Sequence, residues 1–155
     1  MRVSAKVDYA VRAAVELAVF AKDQPRVPVK GDRIAEAQGI PLKFLENILS
    51  ELRRAGMVSS QRGAEGGYWL ARAADTISIA DIIRAVEGPL ADVHGTPPED
   101  LEYDGTAVPL KDVWMAARAN LRAVLEEVTI GSIADERLPG LVDQLLADPA
   151  SRSRR

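Results

Sequence analysis

The chain has 155 residues, of which 47% are hydrophobic and 28% charged, with a formal net charge of −3. That length suits one domain with a proper core, or a small domain with an appended interaction element, and excludes two large domains. Cysteine is absent and His94 is the sole histidine, which excludes disulfides, thiolate nucleophiles and thiolate-ligated metals and leaves a thin catalytic repertoire.

In chain order, Val7, Val11, Ala14, Val15, Ala18 and Val19 recur at spacings of three and four, predicting an amphipathic helix over residues 4–22. Asp8, Arg12 and Glu16 interrupt its apolar run and no small-residue cleavage site closes it, so it reads as part of the fold of a cytoplasmic protein rather than a leader. No window approaches the roughly 18 unbroken apolar residues of a membrane helix, and no membrane partner is expected. "DQPRVPVKG" then reads as a connector, and "DRIAEAQ" as a short second helix with Gly39 as its left-handed terminator.

Pro41 suits the first turn of a third helix, in which Leu42, Leu45, Leu49 and Leu52 form one stripe with Ile48 beside it. Lys43, Glu46, Asn47, Ser50 and Arg54 take the opposite face. Two helices joined by a tight Gly-containing turn, the second with a hydrogen-bonding outer face, outline a helix-turn-helix. After Gly56, "MVSSQ" and "GYWLA" alternate around "RGAEG", predicting a β-hairpin with a Gly-rich tip. "SIADIIRAVEG" predicts a further helix, opened by the capping pair Ser78 and Asp81 and stopped at Gly88.

Residues 90–109 lose periodicity to Pro, Gly and acids and read as a loop. Beyond it Leu110, Trp114, Ala117, Leu121, Val124 and Val128 alternate steps of four and three, a seam of about two and a half heptads that calls for a partner helix. "LPGLVDQLLAD" predicts a short terminal helix, and "PASRSRR" a disordered basic tail.

The Gly-rich stretch is no phosphate loop, since neither G-x-x-x-x-G-K-[ST] nor G-x-G-x-x-G is present and it joins two strand-like runs. A plain hairpin would use its glycines only for turn geometry. Its position directly after the helical pair favours a wing, with Arg62 free to enter a minor groove. The net negative charge argues against a nucleic-acid binder, but distribution matters more than the sum. Asp92, Glu99, Asp100, Glu102 and Asp104 crowd the second half, whereas between residues 53 and 72 Arg53, Arg54, Arg62 and Arg72 face Glu65 alone.

The segments "DYAVRAAVELA", "RIAEAQGIPLKFLENILSELRRAGMVSSQRGAEGGYWLAR", "ISIADIIRAVEGP" and "LKDVWMAARANLRAVLEEVTI" together resemble the Rrf2 family of bacterial transcription regulators, over most of residues 1–130. The resemblance implies a homodimer whose long helices pair and whose two heads read the half-sites of a near-palindromic operator in double-stranded DNA. It assigns Pro41, Lys43, Phe44, Glu46 and Asn47 to a recognition helix in the major groove and Arg62, Gly63, Gly66 and Gly67 to the wing. Side-chain chemistry agrees: Asn47 can pair with adenine, Glu46 can accept from a cytosine amino group, and Lys43 can bind guanine or phosphate.

This chain departs from that pattern in two places. Many relatives have only Pro and Gly between the wing Arg and its aromatic residue, whereas here Ala64 and Glu65 intervene, and a carboxylate near phosphates weakens binding. Cluster-binding relatives carry three cysteines in the loop before the long helix, and the corresponding "ADVHGTPPEDLEYDGTAV" has none. An iron-sulfur or nitric oxide sensor is thereby excluded on ligand chemistry, no cofactor is expected, and no effector is written in the sequence.

His94 with Asp92, Glu99, Asp100 and Glu102 has the donor types of a nitrogen and oxygen metal site, but a solvated acidic loop explains the same residues with fewer demands. Asp8, where some relatives take a non-cysteine cluster ligand, reads as a surface residue. Trp69 and Trp114 have the character of pocket walls, with core packing the simpler reading. No nucleophile, base and electrophile set is visible, so an enzyme is not expected.

The expectation is a mainly α fold with a small β-hairpin wing. A winged helix-turn-helix domain fills residues 1–89, an acidic Pro/Gly loop 90–109, a dimerisation helix 110–130, and a short terminal helix with a basic tail 131–155. The expected function is sequence-specific transcriptional regulation by a homodimeric repressor, since wing and recognition helix suffice to occlude a promoter and no separate activation surface is visible. The alternative is a winged-helix module used only for protein assembly.

Overall fold

The computed structural model describes residues 2–152. The first helix, α1 (Ala5–Asp23), is the post around which the head is built, touching the head's other helices and the second strand of its hairpin. Ser4 caps it, its Oγ accepting from the Val7 amide at 3.2 Å. Its inner face is Val7, Ala10, Ala13, Ala14, Leu17 and Ala18, and so many alanines let neighbouring elements approach its backbone closely.

Helix α2 (Gly31–Gln38) ends at Gly39, whose φ of 61° is the left-handed turn anticipated from sequence. Helix α3 (Leu42–Arg54) then buries Leu45, Ile48, Leu49 and Leu52 completely, each contributing about 1.5–3 kcal/mol by leaving water. Leu42 departs from the predicted stripe and is 43% exposed. It is the first helical residue, and helical side chains lean toward the N-terminus, so it projects past the end of the core. Pro41 stands one position earlier than expected, as the residue flanking the helix.

Strands β1 (Val58–Gln61) and β2 (Gly67–Leu70) pair antiparallel, Val58 opposite Leu70 and Gln61 opposite Gly67. The connector before α2 joins this hairpin, because Val29 and Tyr68 form an antiparallel bridge. Helix α4 (Ile79–Val86) opens with the predicted capping box, Ser78 Oγ accepting from the Asp81 amide and the Asp81 carboxylate from the Ser78 amide, both at 3.1 Å.

The acidic loop contains 3-10 turns at Pro98–Asp100 and Gly105–Ala107 and leads into the long helix α5 (Leu110–Glu127). The seam predicted to run on through Val128 stops short. Val128 is extended and 8% exposed, and its carbonyl accepts from the Ile79 amide at 2.9 Å. The β-branched run Val128, Thr129, Ile130 favours this extended link, and a second capping box, Thr129 with Ser132, starts a new helix at once.

That helix, α6 (Ile130–Ala134), packs back onto α1, so the residues after α5 return to the head instead of beginning a tail. Helix α7 (Gly140–Ala147) follows, and Pro149–Arg152 form a 3-10 turn where a disordered tail was expected. Residues 153–155 of that tail lie outside the described residues. No described helix is long and apolar enough to cross a membrane.

Candidate nucleic-acid interface

The connection between α2 and α3 decides what α3 presents. The Pro41 carbonyl accepts from the Phe44 and Leu45 amides, each at 3.0 Å, which closes the first turn. With Leu45, Ile48, Leu49 and Leu52 in the core, Lys43, Glu46 and Asn47 are exposed in one outward row and Ser50 is half-buried. Pro41 is exposed at the head of that row. Phe44 is 54% exposed and meets the Tyr9 ring edge-on, with centroids 6.4 Å apart at 82°. The Arg12 guanidinium lies 5.5 Å from the Tyr9 centroid, so α1 braces the start of α3.

Beside this row stands the hairpin. Arg62, Gly63, Ala64 and Glu65 are exposed at its tip, which the Gly66 amide closes by donating to the Gly63 carbonyl at 3.0 Å. Gly66 and Gly67, which the resemblance assigns to the wing alongside Arg62 and Gly63, are buried. A Cβ at Gly66 would stand 2.3 Å from the Gln61 carbonyl oxygen, and one at Gly67 2.5 Å from that of Val29. These two glycines shape the wing from inside; Arg62 and Gly63 are the residues it offers outward.

Between the start of α2, the side of α3 and the hairpin runs an open groove of about 450 Å³. Lys30, Arg53 and Arg62 line it, together with the single acid Asp32 and with Gln61. Arg53 Nη1 donates to Ser60 Oγ at 3.1 Å, which holds the cation across the joint between helix and strand. Lys30, Arg53 and Gln61 were not singled out from sequence. Arg53 falls in the basic stretch noted there, but only the fold turns it and Lys30 toward one groove. Glu46 and Glu65 flank the surface with opposite charge, so its attraction for phosphate is local.

The predicted seam of α5 is only partly covered by the described residues. Leu110, Leu121 and Val124 are half-buried, Ala117 is exposed and Trp114 is 37% exposed, while Val113 and Met115 add further open apolar surface. Trp114 is therefore not a core residue of the protomer, and its Nε1 donates to Tyr103 Oη at 3.1 Å. Trp69 is half-buried on β2.

Where α5 meets the head, Glu126 accepts from Arg84 of α4 and, at 2.9 Å, from Arg122 of α5. The two guanidiniums, Arg84 first, hold the Glu126 carboxyl below the usual carboxylate range. Arg118 pairs with Glu99 of the loop. The Glu99 carboxyl is also lowered, first by a hydrogen bond with its own backbone and then by Arg118.

In the acidic loop, His94 has φ of 55° and sits in a turn that Val93 and Thr96 close by exchanging hydrogen bonds of 3.0 and 3.1 Å. Asp92 Oδ1 accepts from the Gly95 amide at 2.9 Å, so these residues build the turn. Asp8 pairs with Arg12 at 3.0 Å on the surface of α1.

Comparison with known proteins bears directly on this arrangement. The Rrf2 family model, described as "Iron-dependent Transcriptional regulator", matches residues 3–136. The HTH-type transcriptional regulator CymR of Bacillus subtilis is 35% identical over 86% of this chain and 90% of its own. Its solved structure, titled as that of the global cysteine regulator, superposes with a TM-score of 0.72 over 88% of this chain and 98% of that one. The structure of IscR from T. potens gives 0.66 at 32% identity, covering 100% of this chain and 93% of that one. A Mycobacterium tuberculosis protein, Rv1287, named as an HTH-type regulator, is 51% identical over 96% of this chain and 90% of its own.

The iron in the family's description does not fit this chain's donors. There is no cysteine, and among the described residues no three His, Asp or Glu side chains gather where one ion could be held. The fold itself matches throughout: a mainly helical head with a two-stranded wing. The chain belongs to the Rrf2 family and, like its relatives, is a DNA-binding transcriptional regulator rather than an enzyme.

Proposed function

We propose that the chain acts as a homodimeric repressor, with two α5 helices pairing along Leu110, Trp114, Ala117, Leu121 and Val124. Each head lays α3 into the major groove of one half-site of a near-palindromic operator and sets the Arg62 tip into the adjacent minor groove. Lys43, Glu46 and Asn47 read base edges, Pro41 and Phe44 position the start of the helix, and Lys30, Arg53 and Gly63 approach the sugar-phosphate backbone. Gly66 and Gly67 serve by holding the wing's shape. Val128 has no part in the seam, being buried in its own head.

The observation that supports this most strongly is the uncovered face of α5, where Val113 is 53% and Trp114 37% exposed on a helix with no buried residue. A dimer removes that surface from water and supplies the two-fold symmetry that a palindromic operator mirrors. Repression follows from occlusion, because recognition helices and wings seated on a promoter suffice to exclude a polymerase. The DNA and the regulator then share the cytoplasm.

Two experiments test the reading. Sedimentation of the full chain is expected to give a dimer at micromolar concentration. A promoter reporter is expected to fall when the protein is supplied; a monomer at all concentrations, or a rising reporter, overturns the corresponding half of the proposal.

A further inference from the structure

A second concave site lies away from the DNA-facing surface, at the junction of α4, the loop after it and α5. Its volume is about 500 Å³. One side is apolar, formed by Pro89, Leu90, Ala91 and Pro97, and the other carries Arg84, Arg118 and Arg122. At 3.6 residues per turn Arg118 and Arg122 lie about 40° apart on one side of α5, where they pair with Glu99 of the loop and with Glu126 beside Arg84 of α4.

The charges here do not balance. Arg84 and Arg122 share the single carboxylate of Glu126, and Arg118 holds Glu99. Asp81 lies 3.7 Å from Arg84 and 3.5 Å from Arg72. Among the residues that line the cleft, three guanidiniums meet one carboxylate, that of Glu99, and Arg118, the most enclosed of the three, has a side chain only 18% exposed. Guanidinium forks beside a small apolar wall match the chemistry of a carboxylate carried on a short carbon skeleton.

We propose that this cleft binds a small organic di- or tricarboxylate. The ligand engages Arg118 and Arg122, displaces Glu99 from Arg118, and rests its carbon skeleton on Pro89 and Leu90. Because Arg84 belongs to the head and Arg118 and Arg122 to the long helix, occupancy favours one setting of α4 against α5 and so changes the spacing of two paired heads. This second step rests on the dimeric reading above; the binding step does not.

The test uses the full chain and citrate as probe, by titration calorimetry at fixed ionic strength, with inorganic phosphate and chloride as separate arms. Saturable citrate binding is expected, weakened about tenfold or more in Arg118→Gln and Arg122→Gln and tightened several-fold in Glu99→Gln, which frees Arg118. Arg122 is half exposed, so Arg122→Gln keeps the test valid where Arg118→Gln does not fold. No saturable heat, or equal affinity in all variants, overturns the site. An equal response to phosphate overturns the choice of a carbon skeleton. Citrate bound with unchanged operator affinity overturns the coupling alone, while loss of operator binding in the ligand-free protein contradicts the DNA reading instead.

Discussion

Tyr68 and Val29 exchange two backbone hydrogen bonds, each of 2.8 Å, and so tie the wing to the chain entering α2. Through this pair the hairpin is fixed relative to the helix-turn-helix instead of swinging as a free ribbon. Gly67 makes the contact possible, because the Val29 carbonyl occupies the space of its missing Cβ. Backbone, not a flexible side chain, is the obstacle. Gly67→Ala is therefore expected to cost about 1–3 kcal/mol in urea unfolding and to weaken DNA binding beyond what Arg62→Ala does alone. A wild-type unfolding midpoint in Gly67→Ala would show the approach to be loose.

Reading of bases and holding of phosphates separate experimentally. Asn47→Ala is expected to cost about 1–3 kcal/mol at the preferred site and to relax the preference at one base position, with little effect on random DNA. Arg62→Ala is expected to weaken binding to all sequences and to lower the salt slope by about one, leaving the dimer intact. Binding titrations over a range of salt check both. Identical profiles for the two variants would mean that α3 and the wing do not divide the work in this way.

In the proposed dimer the exposed face of α5 carries the oligomeric state. Trp114→Glu places a carboxylate in the middle of the seam and is expected to raise the dimer dissociation constant by about a hundredfold or more, about 2.7 kcal/mol. Trp114 lies outside the hydrophobic core and bonds Tyr103 of the loop, so the monomer's helical content should survive. Sedimentation and circular dichroism together check this, and an unchanged dimer would move the interface elsewhere.

The Glu126 bridge sets a pH dependence. Its carboxyl is depressed in the fold, so the bridge stabilises fully above the ordinary glutamate value and is lost as pH falls through the lower, folded value. Asp135, depressed first by its hydrogen bond from Lys22, adds the same sign where α6 meets α1. Stability is expected to drop between about pH 5 and pH 2, with a shallower drop in Glu126→Gln. Thermal unfolding across that range checks it; parallel curves for the two proteins would remove Glu126 from the account.

Much of this head was legible in the sequence because local signals agreed with tertiary ones. Ser78 and Asp81 announce α4 by chemistry that is complete within four residues, and Gly39 ends α2 by a backbone need that few residues meet. Helix α6 was missed although Thr129 and Ser132 form the same kind of box. It is five residues long with Gly131 inside it, so neither periodicity nor propensity marks it, and packing on α1 makes it a helix. Val128 satisfied the heptad spacing yet left the helix, since spacing does not report that the backbone of Ile79 needs an acceptor there.

The candidate site was legible in part for the same reason. The outward row of α3 follows from the inward one, so Lys43, Glu46 and Asn47 could be named from period alone. Gly66 and Gly67 were assigned to the wing from the resemblance, but sequence does not show that backbone crowds both positions. Arg53 was noted only as part of a basic stretch and Lys30 not at all, because they lie 23 residues apart and meet only in the folded groove.

The proposed function requires the free chain, without metal, to select a two-fold DNA site through α3 and the wing. Selection of bound duplexes from a random pool by the purified, chelator-treated protein tests it most directly. A near-palindrome with half-sites about one helical turn apart, retained at physiological salt, is the result predicted. Bound duplexes with no shared sequence would contradict it.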